Sequence, residues 1–379
     1  MIERERMIET FIDLAQIDSP SREERAVAEQ LTAWLRHLGC EVAMDDAGER
    51  VGGDCGNLWS RLPGTGPGPP VLLSAHMDTV MPGRGVRPVR THDRIASDGT
   101  TILGADDKSG LAIIVEVLRV LRERRLAHPP VEVVLTVCEE AGLLGAKQAD
   151  MRRVTARDGL VLDSCPAGAL FTRGPAADRL DVTIRGVAAH AGVCPEAGVS
   201  AIRVAASAIA GMRLGRIDAD TTANLGLIDG GTAVNIVPDR VRIQGEARSH
   251  DEAKLAAQSQ HMVQCFHTAA AEHGRASGQV EIGAQIEAKV TRDYNRMDLG
   301  DQAPIVGWVR QAAHAIGVSI ECQKTGGGCD ANVFNAHGLS VGNLGTGMRQ
   351  IHTTDEHLLL DEFSQTAHVV LAMLQRVGR

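Results

Sequence analysis

Imidazole and carboxylate side chains stand at five places along this chain, each just after an apolar run or just before a helical one: His76-Met77-Asp78, Asp106-Asp107-Lys108, Glu139-Glu140, Asp163 and His352. Histidine and carboxylate at loop positions, with no cysteine among them, form the donor set of a two-zinc hydrolase. The same donors suit cobalt and manganese. Such chemistry exists only if the five places converge, so the elements that carry them decide the matter.

Each place alone has a plainer reading. His76 ends an apolar run, and Asp78, two residues on, points to the same side of an extended chain, where it can hold the second ring nitrogen of a zinc-bound imidazole. A loop tripeptide would look the same. Asp106 lies in Gly104-Ala105-Asp106-Asp107-Lys108-Ser109-Gly110 at the start of a helix. There it could bridge two cations or simply cap the helix. Glu139 and Glu140 leave an extended backbone on opposite sides, so one can ligate while the other faces a bound water. On a solvated helix the pair would be ordinary. Asp163 ends a further apolar run, where a carboxylate must be paired, capped or metal-bound. His352, in Gln350-Ile351-His352-Thr353-Thr354, says little by itself.

The elements around them predict an α/β sheet. Residues 21–38 read as a helix, with Ser21 and Glu24 as a capping box and Val27, Leu31, Trp34, Leu35 and Leu38 on one face. Residues 71–74, 131–137 and 160–162 are apolar runs of the kind buried in parallel sheets, and 111–126 is an amphipathic helix between two of them. Ligands of such sheets bind beyond the carboxyl ends of the strands. His76 and Asp78, Glu139 and Glu140, and Asp163 all lie there.

From Asp178 the pattern changes to a half-exposed strand, with Leu180, Val182 and Ile184 alternating with Asp181, Thr183 and Arg185. A helix over 199–212, strands over 223–228 and 241–247, a helix over 251–273 and a strand over 280–286 complete a β-α-β-β-α-β order, that of a ferredoxin-like unit. The expected division is a catalytic domain of residues 1–176 and 290–379, with 177–289 inserted. A helix over 304–316, a Gly-rich turn at 326–328 and a helix over 361–376 return the chain to α/β character.

Composition narrows the function. A chain of 379 residues can hold two domains. A net charge of −9 without a Lys/Arg-rich run argues against nucleic acid and anionic membrane as partners. Aromatic content of 2% argues against platforms for stacking bases or sugars. No stretch reaches the roughly 18 apolar residues that span a bilayer. Residues 1–13 are charged throughout and lack the apolar segment of a signal peptide, so a cytoplasmic location is expected. The eight cysteines, without CxxC spacing, are expected as free thiols.

Taken in order along the whole chain, the motifs resemble the peptidase T-like branch of the co-catalytic zinc exopeptidases. That family also holds carboxypeptidase G-type enzymes, aminoacylases and succinyl-diaminopimelate desuccinylase. The resemblance rests on Ser74-Ala75-His76-Met77-Asp78-Thr79-Val80, on the run from Asp98 to Lys108, and on Thr136 to Glu140. It extends through Gly186 to Pro195, Gly230 to Pro238, and Gly326-Gly327-Gly328-Cys329-Asp330-Ala331-Asn332. It implies a mixed sheet with flanking helices and an inserted lid and dimerisation domain.

Residue by residue, the resemblance makes His76 and Asp163 ligands of one zinc, Glu140 and His352 ligands of the other, and Asp106 the bridge. Asp78 orients His76, Glu139 is the general base, and His190 supplies the oxyanion donor, from a partner subunit of a homodimer. Asn235, Arg248 and Gly327 fall at substrate-binding positions, although Arg248 also reads as half of a salt bridge at a strand end. Cys329 stands where the family pattern leads one to expect threonine. The implied activity is that of an aminopeptidase on short peptides. An N-acyl amino acid deacylase would use the same machinery, and a catalytically dead scaffold would have lost one of Glu139, Asp106 or His352.

Overall fold

The computed structural model describes residues 1–273, 275–277 and 280–379, with 275–277 and 280–282 as backbone alone. The chain forms two compact units, Met1–Gly174 with Met297–Arg379, and Pro175–Arg296.

In the first unit the apolar runs become the middle of a mixed sheet. Its described strands run in the order Glu41–Met44, Leu58–Leu62, Val131–Thr136, Val71–His76, Asp158–Val161, Ser340–Leu344, Ala169–Gly174 and Met297–Asp298, and Glu321–Lys324 also pairs with Ala169–Gly174. The four strands from Val131–Thr136 to Ser340–Leu344 are parallel. Every residue of Val71–His76 and of Val131–Thr136 is buried, which is why neither alternates polar with apolar. His76 pairs with Thr136, Ser74 with Val161, and Asn343 with Val161. That register brings the carboxyl ends of four strands to one edge.

Two sequence readings change. The helix expected over 111–126 runs from Ala105 to Glu123 and is buried on all sides from Ala105 through Leu118, rather than on one face. It packs against the strand Val71–His76 and the helices Arg4–Ala15 and Leu360–Val377. Its charged residues are satisfied inside: Glu116 accepts from Arg6 at 2.9 Å and from the Glu3 N–H at 3.0 Å, and Lys108 donates to the Ile17 carbonyl at 2.5 Å.

The capping box at Ser21 and Glu24 does not form. The helix is Arg25–His37, with no side-chain cap. The Ser21 hydroxyl donates instead to Asp78 Oδ2 at 2.6 Å, and Glu24 is fully buried with the Cys138 N–H as donor at 2.9 Å. Both side chains are drawn toward the strand ends by partners over fifty positions away.

The second unit contains the expected strand–helix–strand–strand–helix–strand order, with the short strands Gly215–Arg216, Arg275–Ser277 and Val280–Ile282 added to it. Its antiparallel sheet runs Gly215–Arg216, Thr221–Gly230, Arg240–Ser249, Ala176–Arg185 and Gln285–Tyr294. The helices are Ala201–Ala210 and Glu252–Glu272. Leu180, Val182 and Ile184 face the core, as their alternation predicts. The last strand differs from expectation. Val280–Ile282 pairs with Arg275–Ser277, the side chains of 280–282 lie outside the described residues, and the strand that joins the sheet is Gln285–Tyr294. Most of its residues are exposed, although Ile286, Ala288 and Val290 alternate with Glu287, Lys289 and Thr291, and the unit closes at Arg296 rather than 289. All eight cysteines are free.

The Arg6–Glu116 pair yields a test. Glu116 is wholly buried and Arg6 about a third exposed, and removing one partner of a buried pair strands the other charge. Arg6→Ala should lower unfolding stability in urea by about 3 kcal/mol; a loss below about 1 kcal/mol, the range of exposed pairs, would mean that Arg119, 3.5 Å from Glu116, suffices.

Candidate metal centre

The strand ends of the first unit bring together the five residues expected as metal ligands. His76 Nε2 lies 2.9 Å from Asp106 Oδ1, and His352 Nε2 lies 3.2 Å from Asp106 Oδ2. Each oxygen of one carboxylate therefore faces a different imidazole. His352 Nε2 is also 2.8 Å from Glu140 Oε1, and His76 Nε2 is 3.9 Å from Asp163 Oδ1. Two groups of ligand atoms fall within 4.8 Å of one another: His76, Asp106 and Glu140, and His76, Asp107 and Asp163.

Asp106 reaches this position because Asp106 and Asp107 depart from helical dihedrals at the head of the long helix. They form an arch before the helix proper, not its cap. His352 sits in a loop at φ +63°.

Backbone anchors hold the set in place. His76 Nδ1 donates to the Asp78 carbonyl oxygen at 2.9 Å, with the Asp78 carboxylate farther away at 3.4 Å. The Asp78 main chain, rather than its carboxylate, thus lies nearest His76 Nδ1. Its carboxylate accepts the N–H groups of Glu139 at 2.9 Å and Glu140 at 3.1 Å. Three further anchors carried no role in the sequence reading. Glu356 accepts the N–H groups of Leu103 and Gly104 at 2.8 Å and of Asp106 at 3.0 Å. Asn343 brackets Asp163, accepting its N–H at 3.0 Å and donating to its carbonyl at 2.6 Å. Asp107 accepts the His76 N–H at 3.1 Å. An asparagine inside the apolar strand Ser340–Leu344 was the one local signal that could have drawn attention; Glu356 had none. Asp330, buried near Glu139, accepts the Thr136 hydroxyl at 2.5 Å.

The donor set suits divalent cations. Asp78, Asp106, Asp107, Glu139, Glu140 and Asp163 crowd around two imidazoles, and all are buried or nearly so. Burial, reinforced by neighbouring carboxylates, pushes Glu139, Asp107 and Asp163 well above the usual carboxyl range. Burial likewise lifts Asp330 to about 6. Hydrogen bonds to Asp106 and Glu140 push His352 up to about 10. For His76, burial opposes protonation, but hydrogen bonds to Asp106 and Asp78 prevail and raise it. Carboxylates packed this way are short of positive charge, which hard or borderline cations would supply.

The remaining expected residues lie in the other unit or in the Gly-rich loop. His190 is exposed and bridges Ile236, while the Ala191 N–H donates to the Asn235 carbonyl at 2.9 Å. His190 and Asn235 are thus neighbours. Arg248 does not join them: its guanidinium forks onto Glu246 at 2.9 and 3.0 Å, the salt bridge that its sequence context also allowed. Gly327 follows the strand Glu321–Lys324, and a Cβ there would meet only Thr325 Oγ1, at 3.9 Å.

Imidazoles and carboxylates gathered beyond the carboxyl edge of a mixed sheet could hold divalent cations, the chemistry of a metal-dependent hydrolase. The chain belongs to peptidase family M20/M25/M40, whose family model matches residues 72–376. It is 42% identical over the full length of both chains to the Bacillus subtilis protein YqjE. Among solved structures it is similar to the aminopeptidase PepT of Bacillus cereus (42% identity, TM-score 0.88) and to a tripeptidase of Staphylococcus aureus (37% identity, TM-score 0.92), each covering all of both chains.

Imidazole must be neutral to bind a metal. The raised proton affinities of His76 and His352 therefore mean that metal taken up near pH 7 displaces protons, and that affinity climbs with pH. Titrating the chelator-stripped protein with zinc in weak buffer should release about one to two protons per chain. Uptake without proton release would contradict this assignment of ligands.

Proposed function

We propose that this chain is a zinc aminopeptidase that removes the N-terminal residue of short peptides. The observation that carries the reading is Asp106 set between two imidazoles, with Glu139 beside it. The full-length similarity to an aminopeptidase and a tripeptidase supports the substrate class. His76 and Asp163 would hold one cation, Glu140 and His352 the other, with Asp106 shared. When bound, the pair supplies Lewis acidity toward the scissile carbonyl and toward water.

The protein's own groups do the rest. Glu139 takes the proton of the attacking water on its carboxylate and returns it to the leaving amine. Asp78 holds the backbone of Glu139 and Glu140 still. His190 donates to the oxyanion. Arg248 meets a substrate carboxylate with its planar fork, exchanging Glu246 for it. Asn235 binds the substrate backbone, and Gly327 lets that backbone approach closely.

These last groups argue for a homodimer. Arg248 pairs with Ala177 at one end of the sheet, and His190 and Asn235 lie past the other end, where Arg240 pairs with Arg185. The span from Arg240 to Arg248 alone is about 27 Å at strand rise, too far for both sets to hold one substrate from a single copy. The strand Thr221–Gly230 exposes Leu227 and Ile228, at 65% and 61%, beside an edge that, among the described residues, Gly215–Arg216 covers only at Thr222 and Ala223. An open apolar edge of this kind invites a second copy.

Two variants and one substrate series test the proposal. Glu139→Gln should abolish hydrolysis of tri-alanine while metal analysis still finds about two ions per chain; lost metal would make Glu139 a ligand. His190→Ala should lower kcat by roughly 10²–10³, and an unchanged kcat would remove it from the reaction. Acetylating the free amine should abolish turnover, whereas amidating the carboxyl should raise KM through loss of the Arg248 contact and leave cleavage measurable. Preferred cleavage of N-acetyl amino acids would make the enzyme a deacylase.

A further inference from the structure

Glu24 has no part in the mechanism above, yet it is fully buried just before the helix Arg25–His37. After the strand Val131–Thr136 the chain leaves the sheet, and four consecutive N–H groups turn to side-chain oxygens. Val137 donates to Asn57 Oδ1 at 3.1 Å, Cys138 to Glu24 Oε1 at 2.9 Å, Glu139 to Asp78 Oδ1 at 2.9 Å, and Glu140 to Asp78 Oδ2 at 3.1 Å. Cys138 is the bend in this run. Its φ is +51°, in the left-handed region that residues with a side chain occupy only at a cost. Glu24 Oε1 also accepts the Cys138 thiol at 3.3 Å and the Arg22 N–H at 3.0 Å. One oxygen thus ties the bend to the loop ahead of the helix.

We propose that Glu24 is a positioning residue: it holds Cys138 in its left-handed conformation and so aims the Glu139 and Glu140 carboxylates, touching neither substrate nor metal. The proposal rests on the reading of Glu139 as the base. Displacing a reacting group by about an ångström can cost on the order of a hundredfold in rate, and among the described residues no other side chain grips the bend residue's N–H. A rival explanation of the same burial is a cation held by Glu24, Asp54 and Cys55, whose ligand atoms lie within 4.8 Å of one another; Glu24 Oε2 has no hydrogen-bond partner.

The test compares zinc-loaded wild type, Glu139→Gln, Glu24→Ala and Glu24→Gln on tri-alanine, with metal analysis of each. Glu24→Ala should lower kcat by about 10- to 100-fold, with KM and bound metal as in wild type. Glu24→Gln keeps an amide oxygen for the Cys138 N–H and should restore kcat to within about threefold. If alanine does not fold, Glu24→Asp takes its place: it keeps the charge but draws the oxygen back by one methylene, and kcat should fall about tenfold. Wild-type kcat in Glu24→Ala or Glu24→Asp overturns the proposal, as does a fall in kcat that tracks lost metal or that glutamine fails to restore. An inactive wild type, or an active Glu139→Gln, would instead sink the reading of the base.

Discussion

Asp106 is the point on which the rest of the centre turns. One carboxylate with an imidazole on each oxygen, at 2.9 and 3.2 Å, requires that residues from both ends of the chain be held to a fraction of an ångström. Nothing in the side chains alone guarantees that, since carboxylates crowded together repel and protonate rather than stay put. The surrounding structure therefore anchors backbone, not only side chains. Glu356 grips three N–H groups of the Asp106 arch, Asp78 two of the Glu139 segment, and Asn343 both polar groups of Asp163.

The parallel register makes those anchors possible. With His76 opposite Thr136 and Ser74 opposite Val161, the strands end together, and whatever follows them shares one edge. The price of that arrangement is a long helix buried on all sides with Glu116 and Lys108 inside it. Both charged groups find partners, Arg6 and the Ile17 carbonyl. The packing that fixes the sheet and the packing that fixes Asp106 are thus the same helix, Ala105–Glu123. A change that loosens this helix acts on stability and on the centre together.

Much of the site could be read without coordinates because the strands there are apolar and short, and the ligands follow them directly. His76, Glu139, Glu140 and Asp163 each stand within a few residues of a strand's carboxyl end, so fold class and site location came from one pattern. Ser21 and Glu24 show where local reasoning fails. A serine and a glutamate three residues apart before an apolar stripe match a helix cap, but Asp78 and Cys138 compete for the same side chains and win through burial. Arg248 fails differently: its bidentate partner Glu246 is two residues away on the same strand, close enough to have been read as the plainer alternative.

Sequence alone determined the order of the imidazole and carboxylate places, the α/β class and the antiparallel insertion, because each leaves a short-range trace in residue type or periodicity. Tertiary structure alone decided which acids become neighbours. It decided that Glu356 and Asn343 serve the centre and that the central helix is buried on all sides from Ala105 through Leu118. Those outcomes depend on contacts between residues far apart in the chain, and such contacts impose no spacing that a reader of the sequence could detect.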